Sequence, residues 1–120
     1  MKLIEIPPFD YSICVAIGFE AGNKLFPDQN LEGSYGMVMP LKDENGVEFT
    51  FVYLEDEADN FTIWHEALHI VHFMLDARGI PLTVENTEVQ AYLQETVVKV
   101  LQKEIKKHKR KKARLLAKEA

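Results

Sequence analysis

Cysteine is almost absent from this chain of 120 residues. Cys14 stands alone, so no internal disulfide can form. It sits between Ile13 and Val15, where a small buried thiol is the expected state, and both facts suit a reducing cytoplasm. Long apolar runs are missing too: none approaches the ~18 residues of a membrane-spanning helix, so a soluble protein without a membrane partner is expected. The first eight residues lack the apolar core of a secretory signal, and Glu5 interrupts them. The chain is short for two cores, which leaves one domain. Basic residues are scarce over most of its length. Residues 1–102 hold five Lys and Arg against 17 Asp and Glu, a net of −12, whereas residues 103–120 hold nine against two, a net of +7. The expectation is a single domain over 1–102 followed by a basic helical tail over 103–120.

What is present in the first half is strand-like. Lys2 to Ile6 is a short β-type run stopped by Pro7 and Pro8, and Tyr11 to Phe19 is rich in β-branched and aromatic residues. Gly22 to Gly33 carries loop residues. Tyr35 to Lys42 and Val47 to Leu54 are apolar runs joined through Asn45 and Gly46, a pair that suits a type I′ hairpin turn. The second half has helical period. A helix capped by Asp59 or Asn60 runs from Phe61 to Arg78 and stops at Gly79 and Pro81. A second begins near Thr87, where Thr87 and Gln90 have capping-box spacing, and meets no clear stop before the tail. The fold class expected is α+β: a small antiparallel sheet of three to four strands packed on two C-terminal helices.

The first of these helices contains His65, Glu66 and His69. Residues four apart lie one turn above each other on one face, so both imidazoles can reach a single cation. Zinc suits neutral imidazole and takes three protein ligands in catalytic sites. On a helical projection His65, His69, His72 and Asp76 form a polar stripe, and Ile63, Trp64, Ala67, Ile70, Val71, Phe73, Met74, Leu75 and Ala77 fill the remainder. Glu66 falls inside the edge of the apolar arc, about 100° from His65. An unpaired carboxylate there is costly unless it faces a metal site and a cleft. A solvated structural stripe is the plainer alternative. For a third ligand the following segment offers Glu85, Glu88 and Glu95, and Glu88 leads because Ala91, three residues on, lets the helices approach closely.

These residues resemble the gluzincins, zinc peptidases with a His-Glu-x-x-His helix and a glutamate ligand on the next helix; here Glu88 follows His69 by 19 residues. Glu88 to Ala91 is also similar to the Glu-x-x-Ala motif of regulators that cleave phage-type repressors. A narrower likeness is to short metallopeptidases of phages and prophages, which share the Gly79, Ile80, Pro81 stop and the Ala91, Tyr92, Leu93 run. It covers residues 9–102, with its specificity in 61–93. The chain lacks the long helix that larger gluzincins place ahead of the metal helix. The resemblance implies a zincin-like fold, one Zn²⁺ per chain on His65, His69 and Glu88, and hydrolysis of a peptide or protein substrate with Glu66 as general base. It also suits a phage-encoded protein in the host cytoplasm. An extended substrate would lie along Val47 to Leu54 as an edge strand. The oxyanion donor is unassigned. His72 and Tyr92 are candidates by position, against the plainer roles of a histidine paired with Asp76 and a tyrosine at the core edge.

Two other functions compete. A zinc-stabilised binding module would act by occupying a partner, which the acidic body would select for basic charge. The tail residues Lys106, Lys107, Lys109, Arg110, Lys111 and Lys112 could track nucleic-acid phosphates, although no aromatic residue there offers a stacking platform. A solvated end, or an arm on the acidic surface of its own or a neighbouring copy, accounts for the same charges. The oligomeric state is open.

Overall fold

Strand pairing follows from two hairpins that meet in the middle of one sheet. The structure, a computed structural model, describes residues 2–120. Strands β1 (Ile4–Ile6) and β2 (Tyr11–Ile17) pair antiparallel, as do β3 (Gly36–Lys42) and β4 (Glu48–Leu54). The hairpins join through β2 and β4, which run parallel with Ser12 opposite Phe49, in the order β1-β2-β4-β3. The sheet is therefore mixed, not antiparallel throughout. Its cause is a helix in the stretch expected to be loop: α1 (Phe19–Leu25) and the chain after it cross one face and deliver β3 to the far edge, so β4 returns alongside β2 in the same direction.

Both faces of β2 and β4 are covered, which is why these strands read as unbroken apolar runs. Tyr11, Ile13, Ile17, Val52 and Leu54 face the long helices; Cys14, Ala16, Phe49, Phe51 and Tyr53 face Leu31 and Phe26. Thr50, buried among apolar neighbours, is satisfied by the Tyr11 hydroxyl at 2.7 Å. Helix α1 closes on the sheet through Gly22, where a Cβ would stand 2.6 Å from Leu31 Cδ1 and 2.7 Å from Tyr53 Cδ1.

The β3–β4 turn falls at Asn45 and Gly46 as expected, but only Gly46 is left-handed, with φ 79°. A type I′ turn needs positive φ at two residues. The turn is instead held by Asp43, whose carboxylate accepts from the Asn45 and Val47 amides at 2.8 and 2.9 Å and whose carbonyl accepts from Gly46.

Helix α2 (Asn60–Ala77) buries Ile63, Ala67, Ile70, Val71, Met74 and Leu75, of which the larger side chains are each worth about 1.5–3 kcal/mol of burial. It ends in a complete Schellman pair: the Ile80 amide donates to the Leu75 carbonyl and the Gly79 amide, at φ 68°, to Asp76. Helix α3 (Thr87–Glu119) follows a short 3-10 turn at Val84–Asn86. The expected capping box does not form, because the Thr87 hydroxyl donates to the Val84 carbonyl and the Gln90 amide to that of Thr83. Leu93, Val97, Val98, Leu101 and Ile105 pack on the core, so the buried face reaches three residues beyond the expected boundary at 102. The remainder of α3 continues as a helical arm. Among the described residues no helix is long and apolar enough to cross a membrane.

Candidate active site

The first turn of α2 is set by Asp59. Its Oδ1 accepts from the Thr62 amide at 2.9 Å, and that bond holds the carboxyl below the usual carboxylate range. One turn on, His65 and His69 are both exposed, with ring centres 5.1 Å apart and planes at 73°. Two imidazoles sharing one tetrahedral zinc, with bonds of about 2.0–2.1 Å, place their ring centres about 5 Å apart. The pair therefore fits a shared cation.

Glu66 lies beneath them and is only 6% exposed, the one buried charged residue among those described. Burial raises its pKa, while the neighbouring His65 and His69 pull it back. No hydrogen bond or ion pair to its carboxylate forms among the described residues. Its space is provided by Gly36, the first residue of β3: a Cβ there would stand 3.0 Å from Glu66 Cγ, 3.3 Å from Cδ and 3.2 Å from Thr62 Cγ2. Reading the sequence alone passed over Gly36. The only signal was a glycine at the head of an apolar run, which does not say what approaches it.

That contact also corrects the expected substrate strand. The run from Val47 to Leu54 is not an edge, because β4 lies between β2 and β3. The free edge beside Glu66 is β3, whose residues are partly exposed. Trp64 departs from expectation as well: it is 42% exposed, and with exposed Phe61 and Leu68 it gives the histidine stripe an open apolar flank.

The second helix brings its candidates near but does not complete a ligand set. Gln94 donates to the Trp64 carbonyl at 3.3 Å and Gln102 to Asn60 Oδ1 at 3.2 Å, so α3 runs antiparallel along α2. Glu88, six residues before Gln94, lies ~9 Å back along its axis, and His69, five after Trp64, lies ~7.5 Å along α2, which puts both at about one level. Around α3, however, Glu88 stands about 120° from Gln94 and points away from the α2 contact. Among the described residues no three His, Cys, Asp or Glu side chains are gathered around one point. Glu88 is exposed.

Glu85 lies in the 3-10 turn before α3 and Glu95 further along α3, both exposed. His72 is half-buried and Asp76 exposed, and the expected pair between them is not formed among the described residues. Tyr92 is 63% exposed and so is not a core-edge residue. Lys106, Lys107, Lys109, Arg110, Lys111 and Lys112 are all exposed on the arm, away from the histidines along α3. Compared with protein-family models, curated proteins and solved structures, the chain matches none.

Proposed function

We propose that the protein is a small zinc-dependent metallopeptidase of gluzincin type, with His65, His69 and Glu88 as ligands and Glu66 as general base. The observation that carries this reading is Glu66: a residue only 6% exposed, whose carboxylate has no protein partner among the described residues and keeps an opening to solvent, beside two histidines spaced for one cation. Zinc in such a site supplies Lewis-acid activation of water and of the scissile carbonyl. The chain supplies the rest. Glu66, its proton affinity raised by burial, accepts a proton from the attacking water and can return it to the leaving amine. The free β3 edge accepts an extended peptide by strand addition, and its first residue, Gly36, lies against Glu66. The apolar flank of Phe61, Trp64 and Leu68 would take an apolar substrate side chain. Buried Cys14 suits action in a reducing cytoplasm.

Metal analysis of untagged protein, together with digestion of an unfolded protein substrate, tests the reading. One zinc per chain is expected, lost in His65→Ala and His69→Ala. Glu66→Gln should keep the zinc and lower cleavage by about 10²–10⁴-fold, the usual worth of a general base. Metal-free wild type overturns the site, and zinc bound without cleavage of any substrate assigns a binding module in its place.

A further inference from the structure

Beyond His108, the C-terminal part of α3 forms no hydrogen bond or ion pair with another element among the described residues. From Lys106 to Lys118 it carries eight Lys and Arg and no acidic residue. Every side chain beyond Ile105 is exposed except half-buried His108. Among the described residues only Lys107 of these eight forms an ion pair, with Glu104 on the same helix at 3.3 Å. The root of the arm is clamped where His108 Nε2 meets Asp56 Oδ1 at 2.5 Å, in the loop after β4. From there the helix runs past α1, with Lys111, Lys112 and Leu115 flanking an open groove that Phe19, Glu20 and Lys24 line from the other side, and no ion pair joins these residues across it among the described residues.

Asp56 is shared with a second cleft, of 660 Å³, which adds Glu32, Glu55 and Glu57 and shows Phe19 and Tyr35 exposed on its walls. Among the described residues no Lys or Arg lines it. Burial, and then the charges of Glu55 and Asp56, raise the pKa of Tyr53 in its wall, as expected in a negative field. The arm and this cleft are complementary in kind: cations for carboxylates, and half-exposed Leu115 and Leu116 for aromatic rings. No residue of the chain's own arm lines this cleft among the described residues. A polyanion is a poorer fit, since residues 106–118 hold no Phe, Trp, Tyr, Asn or Gln to read or stack on bases, and the body at −12 repels it.

We propose that the basic arm of one copy docks in the acidic cleft of a second copy, the two chains exchanging arms in a symmetric pair. Sedimentation equilibrium of the full chain tests this. From about 0.01 M to about 1 M salt the screening length falls from about 30 Å to about 3 Å, and the dimer dissociation constant should rise at least roughly tenfold. Truncation after His108 should give a monomer at both salts, with an unchanged unfolding midpoint and a helical circular-dichroism signal reduced only by the arm residues removed. A charge swap makes the test specific. Glu32→Lys/Glu55→Lys/Glu57→Lys and Lys109→Glu/Arg110→Glu/Lys111→Glu/Lys112→Glu should each be monomeric alone, because arm and cleft then carry like charge, and should associate when mixed. Wild type that stays monomeric at low salt, a mixture that does not associate, or a monomer that binds duplex DNA through the arm each overturns the proposal.

Discussion

Replacing Glu66 with glutamine should make the metal-free protein more stable at neutral pH. Glutamine is close to isosteric, so the contacts with Gly36 and Thr62 survive while the buried charge is removed. Glu66 is 6% exposed and its carboxylate has no protein partner among the described residues, so desolvating its charge costs on the order of 1–3 kcal/mol more than desolvating the neutral amide of glutamine. His65 and His69 return part of that cost, which leaves about 1–2 kcal/mol. For a domain of this size that is a rise in Tm of about 4–8 °C. The pH dependence has a definite sign. The folded-state pKa lies above the ordinary 4.5, so the folded protein binds the proton more tightly than the unfolded chain does. Wild type therefore loses stability as pH rises from 4.5 through the folded pKa, and the glutamine variant does not. Thermal unfolding in a chelator, followed by circular dichroism at about pH 7.5 and about pH 4, should show the two proteins apart at the first and close together at the second. A variant less stable than wild type at neutral pH, or a gap that persists in acid, refutes the view of Glu66 as a desolvated base held ready for chemistry.

Three further outcomes can be checked. Gly36→Ala should leave stability within about 1 kcal/mol, since an alanine suits a strand better than glycine, yet its methyl displaces Glu66 by a few tenths of an ångström and should lower cleavage about tenfold at unchanged zinc content. Gly22→Ala should destabilise by about 1–3 kcal/mol in denaturant unfolding, because its Cβ would overlap Leu31 and Tyr53; an unchanged midpoint would show that α1 is loosely held. Leu101→Ala should cost about 2–5 kcal/mol, whereas Lys109→Ala on the same helix should stay within about 0.5 kcal/mol, and equal effects would contradict a core that ends at Ile105.

The parts legible in the sequence are those that a local pattern decides. The apolar stripe of α2, its Gly79 stop and the burial of Glu66 all followed from a 100° projection, because a helix sets its own faces. The site of the β3–β4 turn followed from Asn45 and Gly46, but its type did not, because Asp43 captures the turn through its side chain. Helix α1 was hidden by Gly22 and Asn23, which read as punctuation. Gly22 serves packing against Tyr53, a contact 31 positions away in sequence. The parallel join of β2 to β4 was hidden with it, and so was the true edge at β3. At the candidate site the two histidines and the base lie on one helix and could be paired by counting. The direction of Glu88 depends on how α3 rotates against α2, and that is set by the packing of Leu93, Val97, Val98, Leu101 and Ile105 on the rest of the core, which the spacing within one helix does not place against its neighbour.

The parallel seam bears on how the molecule comes together. Each hairpin closes a short loop, but the seam opposes residues 37 positions apart, as at Ser12 and Phe49, and carries the larger closure entropy. Gly36, Glu66 and both histidines lie within one contiguous stretch, residues 36–77, made of β3, β4 and α2. The pocket around Glu66 can thus take shape locally during folding, ahead of the seam. Glu88 lies on α3, which also packs on β2, so a metal binding all three donors would bridge early-forming and late-forming parts of the chain. A ligand held by both segments would be expected to slow unfolding by tying them together.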